Sequence, residues 1–557
     1  MSQRTAVEKL TTGIAGFDFI SNGGLPKGRT TLLAGTAGSA KTVFAVQFLA
    51  EGIVQYQERG VFITFEESAA DIRANMIGFG WDIERWEAEG MWAFVDASPQ
   101  PEDESIVVGN YDLGALLARI EHAIRRVEAT RVSMDSLGAL FSRFDRDQLI
   151  RSELLRIAVG LKHIGVTALM TCERTADYGD ISRYGIEEFV TDNVVILRNA
   201  LEDEKRRRTI EILKYRGTSH QKGEFPLTVV PDAGIVVVPI SSITLTQPSS
   251  LDRATSGNTQ LDQMCGNGFF RNSVTLVSGA TGTGKTLLTT EFLNGGLSRG
   301  ERCLLFAFEE SEEQIIRNAQ GWGIDFKPHL EDQRLSMVCE YPEIASLEDH
   351  LVEMKEAIAT FKPERVALDS LTALNRVATP KGFRDFIIGL TSFIKAQEMT
   401  GFFTVTSPTL FSTTSVTEAH FSTMTDTIIM LRYVELYGAV TRGITVLKMR
   451  GSQHSKEIRE FEITASGMRI GAPVPAMTGI MAGTPIVRED SHLRDIPSQG
   501  RYIVETLNRL GACTLDQLQD ETGLTSDRLE EEINLLQQQG IVLALNRDGD
   551  VHYRTTT

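Results

Sequence analysis

"GTAGSAKT" occupies residues 35–42 and "GATGTGKT" residues 279–286. The second matches the phosphate-binding pattern G-x-x-x-x-G-K-[ST] throughout, and the first departs once, with Ala40 where the second Gly belongs. Each follows a short apolar run and opens a helical pattern, the context in which loop and helix N–H groups cradle phosphates. Gly35, Thr36, Ala37, Gly38, Ser39 and Ala40 would wrap one nucleotide, and Gly279, Ala280, Thr281, Gly282, Thr283 and Gly284 another. Lys41 and Lys285 would reach the β- and γ-oxygens, with Thr42 and Thr286 on Mg²⁺. Ala cannot take every conformation open to Gly. One methyl group at the start of a helix, where Ala is a good former, predicts altered affinity or rate and not lost binding.

The rest of the chain is also written twice. "GVFITFEESAADIRANMIGFGWD" answers "CLLFAFEESEEQIIRNAQGWGID", "RVSMDSLGAL" answers "RVALDSLTAL", and "ILKYRGTSHQK" answers "VLKMRGSQHSK". The offset is 244 residues at Lys41 and Lys285, 243 at Glu66 and Glu309, and 234 at both Asp135/Asp369 and Arg216/Arg450. Matching motifs in one order indicate two homologous lobes. Short apolar runs alternating with helical patterns predict a doubly wound α/β sheet with ligands at the strand C-termini. The expected organisation is a first lobe over 1–240, a Ser/Thr-rich linker over 241–256, a second lobe over 257–485 and an unrelated tail over 490–557.

Bulk properties narrow the class. The N-terminus lacks the basic cap and apolar stretch of a signal peptide, and no window suits a membrane span. Five scattered cysteines without a C-x-x-C pair fit reduced thiols in a cytoplasmic protein. A net charge of −18 weighs against nucleic-acid binding, which needs a local excess of Lys and Arg.

Each lobe carries acids at strand ends. Asp135 and Asp369 stand at the position where a carboxylate holds the metal's water shell. Glu66-Glu67 and Glu309-Glu310 end another strand, where a carboxylate can orient or deprotonate a nucleophile. Because strand side chains alternate, one Glu of each pair is expected to face the γ-phosphate. Lys214 with Arg216, and Lys448 with Arg450, lie far along the chain from their own Gly-rich loops, as residues serving a neighbouring subunit's nucleotide would.

Together with "ERTADYGDISRYGIEEFVTDNVVILRNALEDEKRRRTIEILKYRGTSHQKGEFP" and "SVTEAHFSTMTDTIIMLRYVELYGAVTRGITVLKMRGSQH", these motifs resemble the KaiC family of circadian clock proteins, which belongs to the RecA/DnaB-like ATPases. The likeness runs from residue 1 to about 485. It implies tandem RecA-like P-loop lobes in a double-ring homohexamer with ATP between subunits. The first ring would hydrolyse ATP slowly, and the second would phosphorylate and later dephosphorylate itself. Setting Asp426 against Asp192 puts Ser422 opposite Glu188 and Thr423 opposite Phe189, so the second lobe alone offers hydroxyls there. The resemblance makes Ser422 and Thr423 the phosphoacceptors, places Thr417 and the basic Arg376 near them, and implies Glu309 as the base with Glu310 assisting. A KaiB-like partner for the first lobe follows by resemblance only.

The tail departs from the family's short KaiA-engaging segment, which weighs against a KaiA-like partner. It reads as a helix, a helix-turn-helix with Gly523 at the turn, and a hairpin turning at Asp548-Gly549, a winged-helix-like plan. Residues 499–557 hold five Arg, no Lys and ten acidic residues, so protein contact is favoured over DNA. Leu529, Ile533 and Leu536 form an apolar stripe that would serve either the tail's own core or a contact between two hexamers in a dodecamer. Two other readings stand beside the autokinase: a signalling ATPase with incidental phosphorylation, and a RecA/DnaB-like DNA-dependent ATPase.

Overall fold

Each Gly-rich loop springs from the middle of a nine-stranded sheet. The first lobe's strands are β1 (Thr30–Gly35), β2 (Gly60–Thr64), β3 (Trp92–Asp96), β4 (Arg131–Asp135), β5 (Thr167–Glu173), β6 (Asn193–Glu202), β7 (Lys205–Tyr215), β8 (Glu224–Val230) and β9 (Gly234–Val237). The second lobe's are β10 (Val274–Gly279), β11 (Cys303–Ala307), β12 (Leu335–Cys339), β13 (Arg365–Asp369), β14 (Thr400–Thr406), β15 (Thr427–Leu436), β16 (Ala439–Met449), β17 (Arg459–Thr464) and β18 (Gly467–Pro473). Their orders, β3-β2-β4-β5-β1-β6-β7-β8-β9 and β12-β11-β13-β14-β10-β15-β16-β17-β18, are the same, nine numbers apart. This computed structural model describes residues 7–98, 113–141, 147–182, 187–202, 205–239, 250–407, 424–436, 439–474, 477–478, 486–487, 498–547 and 550–556.

Six strands of each sheet run parallel, from β3 to β6 and from β12 to β15. Their middles are largely apolar because helices cover both faces. In the first lobe Leu33, Phe48 and Phe62 belong to the core on one face, and Leu32, Val61 and Met134 to the core on the other. The second lobe has the same pair of cores. The antiparallel extensions that follow are an addition to the expected doubly wound sheet.

A fully buried arginine opens the fourth strand of each lobe. Arg131 Nε donates to Glu58 at 2.6 Å, and its remaining donors reach the carbonyls of Thr11, Thr12 and Phe48. Arg365 repeats this with Glu301 and the carbonyls of Thr255 and Phe292. Such a charge is tolerable inside because a carboxylate and several carbonyls replace its water. The lobes also touch each other. Lys205 Nζ donates to the carbonyls of Glu343 (3.1 Å) and Ala345 (3.4 Å), and Arg207 pairs with Glu348 at 2.9 Å.

The tail has helices Ser498–Leu510, Leu515–Thr522 and Ser526–Gln538, and a three-stranded sheet of Cys513–Thr514, Val542–Arg547 and Asp550–Thr555. Gly523 ends the second helix at φ 67° and Arg547 pairs with Asp550, so the helix-turn-helix and the hairpin take the expected places, although residues 548–549 lie outside the described residues. Leu529, Ile533 and Leu536 are buried in the tail's own core. Of the two expected uses of the stripe, packing in the tail's own core is the one observed.

Two differences between the lobes lie on the helices that follow the Gly-rich loops, α1 (Lys41–Tyr56) and α2 (Lys285–Leu297). Ala40 is not inside α1 but caps it, at φ 71° and ψ 31°, as Gly284 caps α2 at φ 97° and ψ 22°. The expectation based on helix propensity is corrected accordingly. The conformation is left-handed and costs a residue with a Cβ roughly 1–2 kcal/mol. The Ala40 methyl recovers part of that by packing on the first lobe's core. At Gly284 a Cβ would lie 3.2 Å from both Ile463 Cδ1 and Met468 Cε, so the second lobe has less room for it.

Gln47 on α1 binds the turn before β9 through its amide, donating to the carbonyls of Ala233 and Ile235 and accepting from Ile235 N–H. Glu291 on α2 does the same work with a carboxyl, accepting from Met468 N–H (2.6 Å) and from Asn258 Nδ2 (3.1 Å). Burial without a countercharge raises its pKa to about 7.

Ala40→Gly should raise the urea midpoint of the first lobe by the equivalent of about 1 kcal/mol. Tryptophan fluorescence reads this selectively, since Trp81, Trp86 and Trp92 lie in that lobe and Trp322 in the other. A lowered midpoint would contradict the assigned backbone cost. Glu291 binds its proton more tightly when folded, so its contribution is complete below about pH 4.5 and fades as pH rises through about 7. Amide exchange in α2 should therefore quicken between about pH 5 and pH 7, after correction for intrinsic exchange. Glu291→Gln should flatten that dependence, and an unchanged slope would remove Glu291 as its source.

Candidate nucleotide sites

The strand-to-helix turn aims each loop's amides at one point. Gly38 and Ala40, and Gly282 and Gly284, supply the left-handed residues that the turn demands. Lys41 Nζ lies over the loop, donating to the carbonyls of Gly35 and Thr36, both at 3.0 Å. Lys285 repeats the pair on Gly279 and Ala280, again at 3.0 Å. Ser39 Oγ and Thr283 Oγ1 close their loops onto the carbonyls of Thr36 and Ala280. Loss of the second glycine thus leaves the lysine and loop geometry of the first lobe matching the second.

The acids gather beside this turn. Thr42 Oγ1 donates to Asp135 Oδ2 at 2.6 Å, and Thr171 holds the other carboxylate oxygen. Asp369 is held by Thr404 in the same way. Thr286, Asp369, Glu309 and Glu310 line one cavity of about 60 Å³. Asp135 and Asp369 each precede a serine through a cis peptide bond. Ser136 Oγ donates to Glu66 (3.0 Å) and Ser370 Oγ to Glu309 (3.4 Å). Asn75 holds Glu67 (3.2 Å) and Asn318 holds Glu310 (3.3 Å).

The alternation expected within each Glu pair does not apply, because β2 ends at Thr64 and β11 at Ala307. Both acids of each pair sit in the bend beyond, and in the second lobe both line the cavity. Burial pushes the carboxyl of Asp135 above its usual range, against its threonine bonds. Burial, then the neighbouring aspartate, raises Glu67 and Glu310. Burial lowers the Lys285 ammonium. A carboxylate with raised proton affinity is the better proton acceptor near neutral pH.

The late basic residues lie elsewhere. Lys214 Nζ donates to the carbonyls of Glu188 and Thr191, both at 2.8 Å, and Arg216 pairs with Asp192 at 3.6 Å. Lys448 bonds the carbonyl of Thr425 at 2.7 Å, and Arg450 faces Asp426 at 4.0 Å. Asp192 N–H bonds Thr30 and Asp426 N–H bonds Val274, at the starts of β1 and β10. These bases therefore stand at the strand ends opposite their own Gly-rich loops. The same bonds give Asp192 and Asp426 one structural position, which is the alignment that sets Ser422 opposite Glu188. Ser422, Thr423 and Thr417 lie outside the described residues. Arg376 stands 3.4 Å from Glu309 and 3.6 Å from Glu343.

Several supporting groups escaped the sequence reading. Besides the Asn, Ser and Thr partners above, Arg208 Nε donates to the carbonyl of Gly38 and Arg442 Nε to that of Gly282. Each recurs at or within one residue of the offset of its neighbouring motif, Asn75 with Asn318, Ser136 with Ser370, Thr171 with Thr404 and Arg208 with Arg442. Comparing the repeats position by position would have found them.

Comparison with known proteins agrees with this geometry. The sequence profile described as "ATPase: KaiC" matches twice, over residues 10–242 and 254–474. The circadian clock protein KaiC3 of Synechocystis is 64% identical over 487 residues, covering 87% of this chain and 96% of that protein. The circadian clock oscillator protein KaiC of Thermostichus vulcanus is 53% identical over 479 residues, 86% of this chain and 92% of its own length. That of Synechococcus elongatus is 51% identical over 484 residues, 87% and 93%. With two matched ATPase lobes of one topology and a nucleotide cradle in each, the chain belongs to the KaiC family of ATPases.

Proposed function

We propose that the protein is a two-site clock-type ATPase whose first lobe hydrolyses ATP and whose second lobe moves the γ-phosphoryl to its own Ser422 and Thr423, and later removes it. The observation that carries this reading is the shared position of Asp192 and Asp426. By alignment it sets Ser422 and Thr423 against Glu188 and Phe189, so the second lobe alone offers hydroxyls at that position. The names of its relatives, circadian clock proteins, support a timing role.

Mg²⁺ fits the oxygen-only donors at each site: Thr42 with Asp135, and Thr286 with Asp369. When bound with ATP it would neutralise charge on the β- and γ-phosphates. Lys41 and Lys285 hold those phosphates against the loop amides. Glu309 takes the acceptor hydroxyl proton, with Glu310 behind it. In the first lobe Glu66 and Glu67 orient water instead. Arg376, beside Glu309, is poised to pair with the phosphate once transferred. Lys214, Arg216, Lys448 and Arg450 reach a neighbouring subunit's nucleotide, in keeping with a homohexamer built around ATP. A KaiB-like protein is the partner proposed for the first lobe.

Incubation with ATP and Mg²⁺, followed by peptide mass spectrometry, should find phosphate on Ser422 and Thr423. Glu309→Gln should slow its appearance by about 10²- to 10⁴-fold, the usual worth of a positioned base. Phosphate at neither residue, or at an unchanged rate in Glu309→Gln, would overturn the autokinase reading.

A further inference from the structure

A cluster outside both nucleotide sites pairs a buried imidazole with two carboxylates. Glu340 follows β12, and His350 and Glu353 sit three residues apart on one face of α3 (Leu347–Phe361). One ligand atom from each of the three lies within 4.8 Å of the others. His350 is only 2% exposed, with its ring edge-on to Phe308 at 5.6 Å.

The ring's environment fixes its tautomer. Nε2 lies 3.1 Å from the carbonyl oxygen of Pro342. A carbonyl only accepts, so Nε2 carries the proton, and the neutral ring's lone pair is on Nδ1. Nδ1 looks toward Glu353 Oε2 at 3.7 Å, beyond hydrogen-bond reach, and among the described residues it makes no hydrogen bond. The lone pair of a ring that is only 2% exposed thus faces two acids whose charges repel. A positive centre would satisfy all three groups.

We infer that Glu340, His350 and Glu353 form a binding site for a divalent transition cation of the Zn²⁺ class. One nitrogen and two carboxylate oxygens suit Zn²⁺ better than Mg²⁺ or Ca²⁺, which take oxygen alone. Zn–N and Zn–O distances of about 2.0–2.2 Å need the ligand atoms to close by roughly 1 Å, a movement open to two exposed glutamates. Water completes the coordination. The bond from Nε2 to Pro342 is the outer partner that orients a metal-bound histidine. The bound ion would tie the end of β12 to α3 across the turn Pro342–Ile344. That turn carries Glu343, which faces Arg376, and Lys205 from the first lobe donates to the carbonyls of Glu343 and the following Ala345.

Isothermal titration of the nucleotide-loaded full chain with Zn²⁺ tests the site directly. Wild type should bind one ion per chain here, with X-ray absorption showing a nitrogen and oxygen shell. Glu340→Gln/Glu353→Gln, altering exposed side chains that leave the fold intact, should weaken that event by about tenfold or more. His350→Gln should do likewise. Equal affinity in wild type and the double variant, or a sulfur-containing shell from thiols such as Cys339, would overturn the assignment. So would an absence of Zn²⁺ binding, which would mean that a proton on Nδ1 pairs it with Glu353.

Discussion

The catalytic geometry of both lobes depends on one backbone requirement. The chain must leave a buried parallel strand and enter a helix within a few residues while its amides converge, and two left-handed residues per loop make that possible. From this turn the lysine falls back across its own loop carbonyls, and the first helical threonine meets the strand-end acids. Three of the four left-handed positions are glycine. Ala40, the fourth, accepts a strained conformation and offsets part of its cost by packing its methyl group on the core. The motif therefore tolerates one broken letter when the surrounding fold over-determines the turn.

Duplication of this unit let chemistry diverge over a constant frame. The sheet orders are identical, the buried Arg131 and Arg365 open the same strand, and the acids share matching Thr, Ser and Asn partners. The differences fall where a single atom or charge changes what a site can do. A buried amide in one lobe, Gln47, is a titratable carboxyl in the other, Glu291. In the repeat alignment anchored on Asp192 and Asp426, Glu188 of the first lobe answers Ser422 of the second. The lobes are also joined: Lys205 bonds the segment before α3, Arg207 pairs with Glu348 in its first turn, and Arg376 links Glu343 to Glu309.

Much of this was legible in the residues. The Gly-rich loops and the strand-end Asp135 and Asp369 announced themselves through motif and repeat, because phosphate and metal chemistry constrain residue type and spacing tightly. The antiparallel extensions were less visible, since β7 mixes charged and apolar residues over a half-buried surface without a clean period. Alternation misjudged the Glu66-Glu67 and Glu309-Glu310 pairs, because nothing in the letters marks where a strand yields to a bend. Propensity misjudged Ala40, because a cap and a first helical residue differ in backbone angle and not in composition. The stripe on the tail's last helix had two outcomes that spacing cannot separate, and tertiary packing chose the core.

The central claim is a division of labour between two matched sites, and it is tested most directly by disabling the acids of one lobe at a time while recording free phosphate and protein-bound phosphate in the same sample. With Glu66→Gln/Glu67→Gln, most release of free phosphate should stop while Ser422 and Thr423 still fill. With Glu309→Gln/Glu310→Gln, free phosphate should continue and the two residues stay bare. If either double variant abolished both signals equally, or neither changed its own, the lobes would not divide the chemistry as described.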